Sequence, residues 1–111
     1  MKGAKSKLTN VDEMLESLKL LSDKSRLTIL ALLKEKEMCV CDIVDLLETT
    51  QSNVSQHLKK LKTGGLINET KRKQWVYYSL NLDDKPYLNE ILAQLPSMKE
   101  RTNTLSSQSC D

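Results

Sequence analysis

Cys39 and Cys41, one residue apart, are the side chains best placed to do chemistry in this 111-residue chain. A thiol acts as nucleophile or metal ligand only as thiolate, and the unpaired amides and dipole of a helix N-terminus favour that form. Cys41-Asp42 read as the start of a short helix running through Leu47, which puts Cys41 in such a place. Residues at i and i+2 point to opposite sides of a helix but to one side of an extended link. Cys39 and Cys41 can therefore share one soft, thiophilic ion where strand gives way to helix. They can equally be two small buried core residues, since free cysteine is among the most buried types. The spacing lacks the paired C-x-x-C of a structural zinc site and the C-x-x-C in a βαβ setting of a thiol oxidoreductase. With Cys110 next to the last residue, the odd count does not make a disulfide framework, so thiols in a reducing compartment are expected.

A second constellation lies just downstream. Val54, Leu58 and Leu61 form the inward stripe of a helix from Gln51 to about Thr63, capped by Thr50 and ended by Gly64-Gly65. The opposite face carries Ser52, Ser55, Gln56 and Lys59. Short hydroxyls, an amide and a lysine at a helix start suit a major groove: Gln pairs with adenine N6 and N7, Ser donates or accepts, and Lys neutralises phosphate. Taken alone such a face is ordinary solvated surface; its neighbours decide otherwise. The short helix before it and the Thr49-Thr50 turn make a helix-turn-helix. After it, Leu66–Thr70 and Trp75–Leu80 alternate with period two around Lys71, Arg72, Lys73 and Gln74, a hairpin with a basic tip. Such a wing lies along the backbone or in the minor groove of DNA. Gln51, Ser52, Ser55, Gln56, Lys59, Lys60, Lys71, Arg72 and Lys73 are the candidate DNA contacts. His57, the only histidine, sits beside the buried stripe as a packed or capped side chain.

The elements around these sites predict a mainly α fold with a small β-hairpin, a winged helix-turn-helix. Residues 1–9 read as a flexible basic arm, 10–96 as the DNA-binding and dimerisation domain, and 97–111 as a flexible tail. A first amphipathic helix capped at Asn10 carries Val11, Met14, Leu15, Leu18 and Leu21. Ser22-Asp23 cap a second, apolar on too many sides to face water. Asp83 or Asp84 caps a last helix with Pro86 in its first turn, and Pro96 stops it. The composition is 39% apolar and 29% charged, with 17 basic and 15 acidic residues. The resulting +2 conceals a segment 35–48 of net −4 beside a segment 51–75 of net +5, the footprint of a polyanion site. A chain this short buries roughly 60–65% of its unfolded surface, so a partner subunit is expected to add stability. No apolar run approaches the ~20 residues of a membrane span, and no signal peptide follows the basic start, which predicts a cytoplasmic protein.

Three stretches in register resemble the ArsR/SmtB family of metal-sensing repressors, its arsenic-responsive branch in particular. Glu37-Met38-Cys39-Val40-Cys41-Asp42-Ile43 is similar to that family's metal-binding box. Gln51-Ser52-Asn53-Val54-Ser55-Gln56-His57-Leu58-Lys59-Lys60-Leu61 resembles its recognition helix, and Leu20 to Leu30 the start of its second helix. The resemblance implies a homodimer, joined through its first and last helices, on a pseudo-palindromic double-stranded operator. Arsenite, antimonite or a related ion at Cys39 and Cys41 would release it. The inducer is then a transient ligand, with no permanently bound cofactor and no membrane partner. Some arsenic-responsive members place a third cysteine where this chain has Val44. Trivalent arsenic favours three thiolates, so Cys110 of the tail is the candidate third ligand.

An alternative keeps the DNA binding and makes the cysteines sensors of oxidation, to sulfenic acid or a disulfide. A metal-sequestering or purely interaction protein would leave the basic helix and wing unexplained. No nucleophile–base pair, paired catalytic carboxylates or glycine-rich phosphate loop points to an enzyme.

Overall fold

The computed structural model describes the backbone of residues 2–100 and the side chains of residues 11–100. Five helices and three short strands follow one another as α1 (Lys2–Leu21), α2 (Lys24–Glu35), β1 (Met38–Cys39), α3 (Val40–Leu47), α4 (Gln51–Thr63), β2 (Ile67–Arg72), β3 (Trp75–Leu80) and α5 (Pro86–Ala93). The strands form one antiparallel sheet in the order β1-β3-β2. This is the winged helix-turn-helix the sequence predicts.

α2 is the central helix: Ile29 to Leu33 are five consecutive buried residues, which requires neighbours on every side. Asp23 caps it, its carboxylate accepting the Arg26 N–H at 3.1 Å, and that bond holds the Asp23 carboxyl below its ordinary pKa. Arg26 in turn closes the end of α1, donating from Nε to the Leu20 carbonyl at 2.8 Å. Val54, Leu58 and Leu61 of α4 join Ile43, Leu46, Met38, Leu66, Leu88 and Leu92 around α2 in one core.

α4 starts on the Thr50 hydroxyl, which accepts the Asn53 N–H at 3.1 Å, and ends in a Schellman turn. Gly65 N–H bonds to the Lys62 carbonyl and Leu66 N–H to the Leu61 carbonyl, both at 3.0 Å, with Gly65 left-handed at φ +80. An L side chain there costs about 1–2 kcal/mol. Gly65→Ala is therefore expected to lower the unfolding free energy by about 1 kcal/mol or more in urea titration; an unchanged midpoint would count against this account of the turn.

Four boundaries differ from the sequence reading. α1 begins at Lys2, so Asn10 lies inside it and is no cap; Ala4, Lys5, Lys7 and Leu8 are good helix formers, and Gly3 falls in the first turn rather than in the helix interior. The N-cap position of α5 falls on Lys85, with no side-chain capping bond, rather than on Asp83 or Asp84. Pro86 disfavours helical geometry in the residue before it, and Lys85 takes φ −135 and ψ 63, so the helix starts at the proline itself. The hairpin loop is only Lys73-Gln74, because Lys71 pairs with Val76 and Arg72 with Trp75. Lys73 takes φ 58, the sign that the first central residue of a type II′ turn requires, and the ladder closes two residues further out than expected. Finally, Ser97 and Met98, expected in the tail, are tied down: Glu35 accepts the Met98 N–H at 3.2 Å, and Met98 packs on the core.

Candidate thiol cluster and nucleic-acid interface

Cys39 is both the last residue of β1 and the N-cap of α3, with φ −90 and ψ 172. An N-cap side chain leans over the amides two and three residues on, and here the first of those residues is Cys41. The two Sγ atoms stand 2.8 Å apart. Cys39 is 3% exposed, whereas Cys41 reaches solvent. Sequence reasoning brought these sulfurs together through an extended link; the structure brings them together through the helix cap.

Asp42 is the residue that reasoning missed. It follows Cys41 in the first turn of α3, is 8% exposed, and its Oδ1 is buried with no hydrogen-bond partner. A ligating atom from each of Cys39, Cys41 and Asp42 lies within 4.8 Å of the others. A buried carboxylate oxygen without a donor costs on the order of 1–3 kcal/mol, a cost that a cation held between it and the sulfurs would remove. Two sulfurs and one oxygen suit a thiophilic ion. The Asp-after-Cys spacing was visible in the sequence, but the burial that makes it informative was not. Cys110 lies outside the described residues.

From α3 the chain turns through Glu48, left-handed at φ 53, and Thr49-Thr50 into α4. Asn53 Nδ2 donates to Thr49 Oγ1 at 3.1 Å, so the turn is fastened to the helix it precedes. On α4, Gln51, Ser52, Ser55, Gln56, Lys59 and Lys60 are all exposed, as are Lys71, Arg72 and Lys73 of the wing. The structure thus puts every candidate contact on the surface, but not all are equally free. Gln56, Lys59 and Lys60 border a cleft whose other wall, on α1, carries Asp12, Glu13 and Glu16. Arg72 Nη1 is ion-paired with Glu37 Oε1, and its guanidinium lies 5.1 Å from the centroid of the Tyr77 ring. His57 is the packed histidine expected: its side chain is 17% exposed and its Nε2 is 3.9 Å from Asp23 Oδ2.

A second bridge joins α4 to the wing. Lys62 Nζ pairs with Glu69 Oε1, and Tyr78 donates its hydroxyl to Glu69 Oε2 at 2.9 Å. The Lys62 bond chiefly holds the Glu69 carboxyl below its usual range. Burial, then Glu69, raises Tyr78 to about 12. A phenol whose folded pKa exceeds its unfolded value of 10 lends stability that is complete below pH 10 and lost as pH rises toward 12. Absorbance at 295 nm should show a tyrosinate step near pH 12 that Tyr78→Phe removes. Loss of that step from the wild type would refute the bridge.

The profile described as "Bacterial regulatory protein, arsR family" matches residues 23–69. The arsenical resistance operon repressor of Bacillus subtilis is 39% identical over 80 residues, which cover 71% of this chain and 73% of that protein. The chain belongs to the arsR family. Among family members, the cadmium resistance transcriptional regulatory protein CadC of Listeria innocua is 44% identical over 78 residues, and the match covers 68% of this arsR-family chain and 66% of CadC. The solution structure of the homodimeric winged helix-turn-helix DNA-binding domain Mb0332 from Mycobacterium bovis matches with a TM-score of 0.69 at 28% identity. That likeness covers 78% of this chain and 81% of that one.

Proposed function

We propose that this arsR-family chain is a homodimeric cytoplasmic repressor that binds a pseudo-palindromic operator and releases it when arsenite, antimonite or another thiophilic ion is held by Cys39 and Cys41. The observation that carries the reading is the convergence of Cys39, Cys41 and the unpartnered Asp42 oxygen within 4.8 Å in the first turn of α3. Asp42 adds a third donor, and Cys110 of the tail is a further candidate thiolate. The names of the arsenical and cadmium resistance relatives support the same ligand class.

Release follows from chain distance. Drawing Cys39, Cys41 and Asp42 onto one centre shifts the first turn of α3. The Glu48–Thr50 turn, bound to Asn53, passes that shift to the start of α4, where Gln51, Ser52, Ser55 and Gln56 meet base edges. Lys59, Lys60, Lys71, Arg72 and Lys73 supply the phosphate contacts, which position the protein without reading sequence.

The dimer is supported by the exposed apolar stripe of α1: Val11 is 63%, Leu15 49%, and Met14 and Leu18 each 38% exposed. Met14 and Leu18 continue into a groove with Tyr87 and Ile91 of α5. The sequence pattern marked this stripe as one amphipathic face; only its end, at Leu21, turns into the core. Two recognition helices related by a twofold axis would read half-sites about 34 Å apart.

The deciding experiment titrates arsenite into the protein bound to its own upstream promoter DNA, followed by fluorescence anisotropy. A loss of operator affinity of about 5- to 150-fold is expected, the usual span of allosteric coupling. Unchanged affinity at saturating arsenite, antimonite and cadmium would overturn the inducer assignment. A second reading, oxidation of the two cysteines, is favoured by the 2.8 Å approach of their sulfurs. Release by peroxide without metalloid, reversed by reductant, would select it.

A further inference from the structure

The wing is connected to the cysteine turn by a route that does not pass through the recognition helix. In the β1–β3 ladder Cys39 stands opposite Tyr77, and in the β2–β3 ladder Tyr77 stands opposite Thr70 and Trp75 opposite Arg72. Directly paired residues share a face of the sheet, and diagonal neighbours lie within reach of long side chains. Cys39, Tyr77 and Thr70 therefore form one row, with Arg72 diagonal to Tyr77. The Arg72 guanidinium 5.1 Å from the Tyr77 centroid fits that placement. Its other partner, Glu37, precedes Cys39 by two residues. One wing cation is thus held by two residues that flank the same cysteine, one along the chain and one across the ladder.

We propose that Glu37 is a positioning residue for the wing, competing with DNA phosphate for Arg72 in a contest set by the Cys39–Cys41 turn. This rests on the reading above of Lys71, Arg72 and Lys73 as phosphate contacts. Carboxylate and phosphate are rival partners for a guanidinium fork. An Arg72 whose charge is already compensated by Glu37 adds less to DNA binding than one that is free. The Arg72 and Glu37 side chains are 53% and 36% exposed. An ion pair that open to solvent changes an equilibrium by no more than about fivefold, so it biases the wing without locking it. Movement of Cys39 shifts Glu37 and Tyr77 together and so resets how readily Arg72 leaves for phosphate.

The test measures operator binding against salt for the wild type, Glu37→Gln, Arg72→Gln and the double variant. Glu37→Gln is expected to tighten binding about two- to fivefold and to steepen the log–log salt dependence by up to about 1. It should also weaken release by arsenite. Arg72→Gln removes the cation for which Glu37 and phosphate compete, so adding Glu37→Gln to it should change affinity by less than about 1.5-fold. Equal effects of Glu37→Gln in both backgrounds would reveal only the removal of a negative charge near DNA and overturn the proposal. No effect in either background overturns it as well. If the wild type binds no fragment of its promoter at low salt, the wing reading itself fails and the proposal falls with it. A separate titration follows arsenic–thiolate absorption in the free protein. Should that absorption be absent while the Glu37–Arg72 interaction energy is present, the metalloid reading fails and the positioning role stands.

Discussion

Serine at position 39 or 41 is expected to leave operator affinity within about twofold of wild type and to abolish release by arsenite. The substitution is nearly isosteric, but it exchanges a soft sulfur for a hard oxygen that stays protonated at neutral pH, and a thiophilic ion loses its preferred donor. A coupling of about 1–3 kcal/mol, if it arises from ion binding at this turn, should then fall to near zero. The two variants differ in stability. Cys41 reaches solvent, so its hydroxyl stays hydrated. Cys39 is 3% exposed, and taking a serine hydroxyl out of water into that site in place of the sulfur costs on the order of 1–3 kcal/mol. Thermal unfolding of Cys39→Ser separates that loss from the loss of response. Asp42→Asn tests the third donor: the sulfurs remain, the carboxylate charge goes, and arsenite should be needed at higher concentration with full release still attainable. If both serine variants release DNA as the wild type does, the cysteines are not the switch. Should peroxide release the wild type but neither variant, oxidation replaces metalloid as the signal.

The local chemistry of this chain was legible because it is local. Asp23 and Thr50 cap helices where their types and positions said they would, and Gly65 supplies the left-handed residue that ends α4. Val54, Leu58 and Leu61 are buried, while Ser52, Ser55 and Gln56 are exposed, as a 3.6-residue period requires. What escaped depends on partners distant in sequence or on a single backbone angle. Nothing around Asp42 signals that Oδ1 is shut away from every donor. Glu37 and Arg72 are 35 positions apart, and only the order β1-β3-β2 brings them together. Lysine rarely takes a positive φ, so a four-residue loop was the natural expectation where Lys73 in fact closes a two-residue one. Asp83 and Asp84 are good cap types, and the restriction that Pro86 places on Lys85 overrides them. The stripe on α1 shows the limit of periodicity in another way: spacing identifies an apolar face without saying what covers it.

That stripe carries the second large effect. Replacing Leu15 and Leu18 together with glutamate is expected to yield a monomer and to weaken operator binding by about 10²- to 10⁴-fold, the factor by which linked half-site contacts exceed a single one. Leu15 is 49% and Leu18 38% exposed, and Ser17 beside them is 3% exposed, so the helix stays seated on the body while its outer face changes sign. The intramolecular core should lose little, because neither leucine belongs to the buried set around α2. A fold that unravels would melt earlier; a dimer that separates should show half the mass in sedimentation equilibrium with the near-ultraviolet signal of Trp75 retained. Burying four carboxylates across a twofold axis, two from each subunit, sets like charges against one another in a desolvated seam, a far larger penalty than loss of apolar area alone. Release by arsenite should vanish from this variant for a different reason than in the cysteine variants: it retains Cys39, Cys41 and Asp42 but lacks the paired recognition helices whose spacing an ion held there would disturb. A variant that stays dimeric with the operator affinity of wild type would move the subunit interface off α1 altogether.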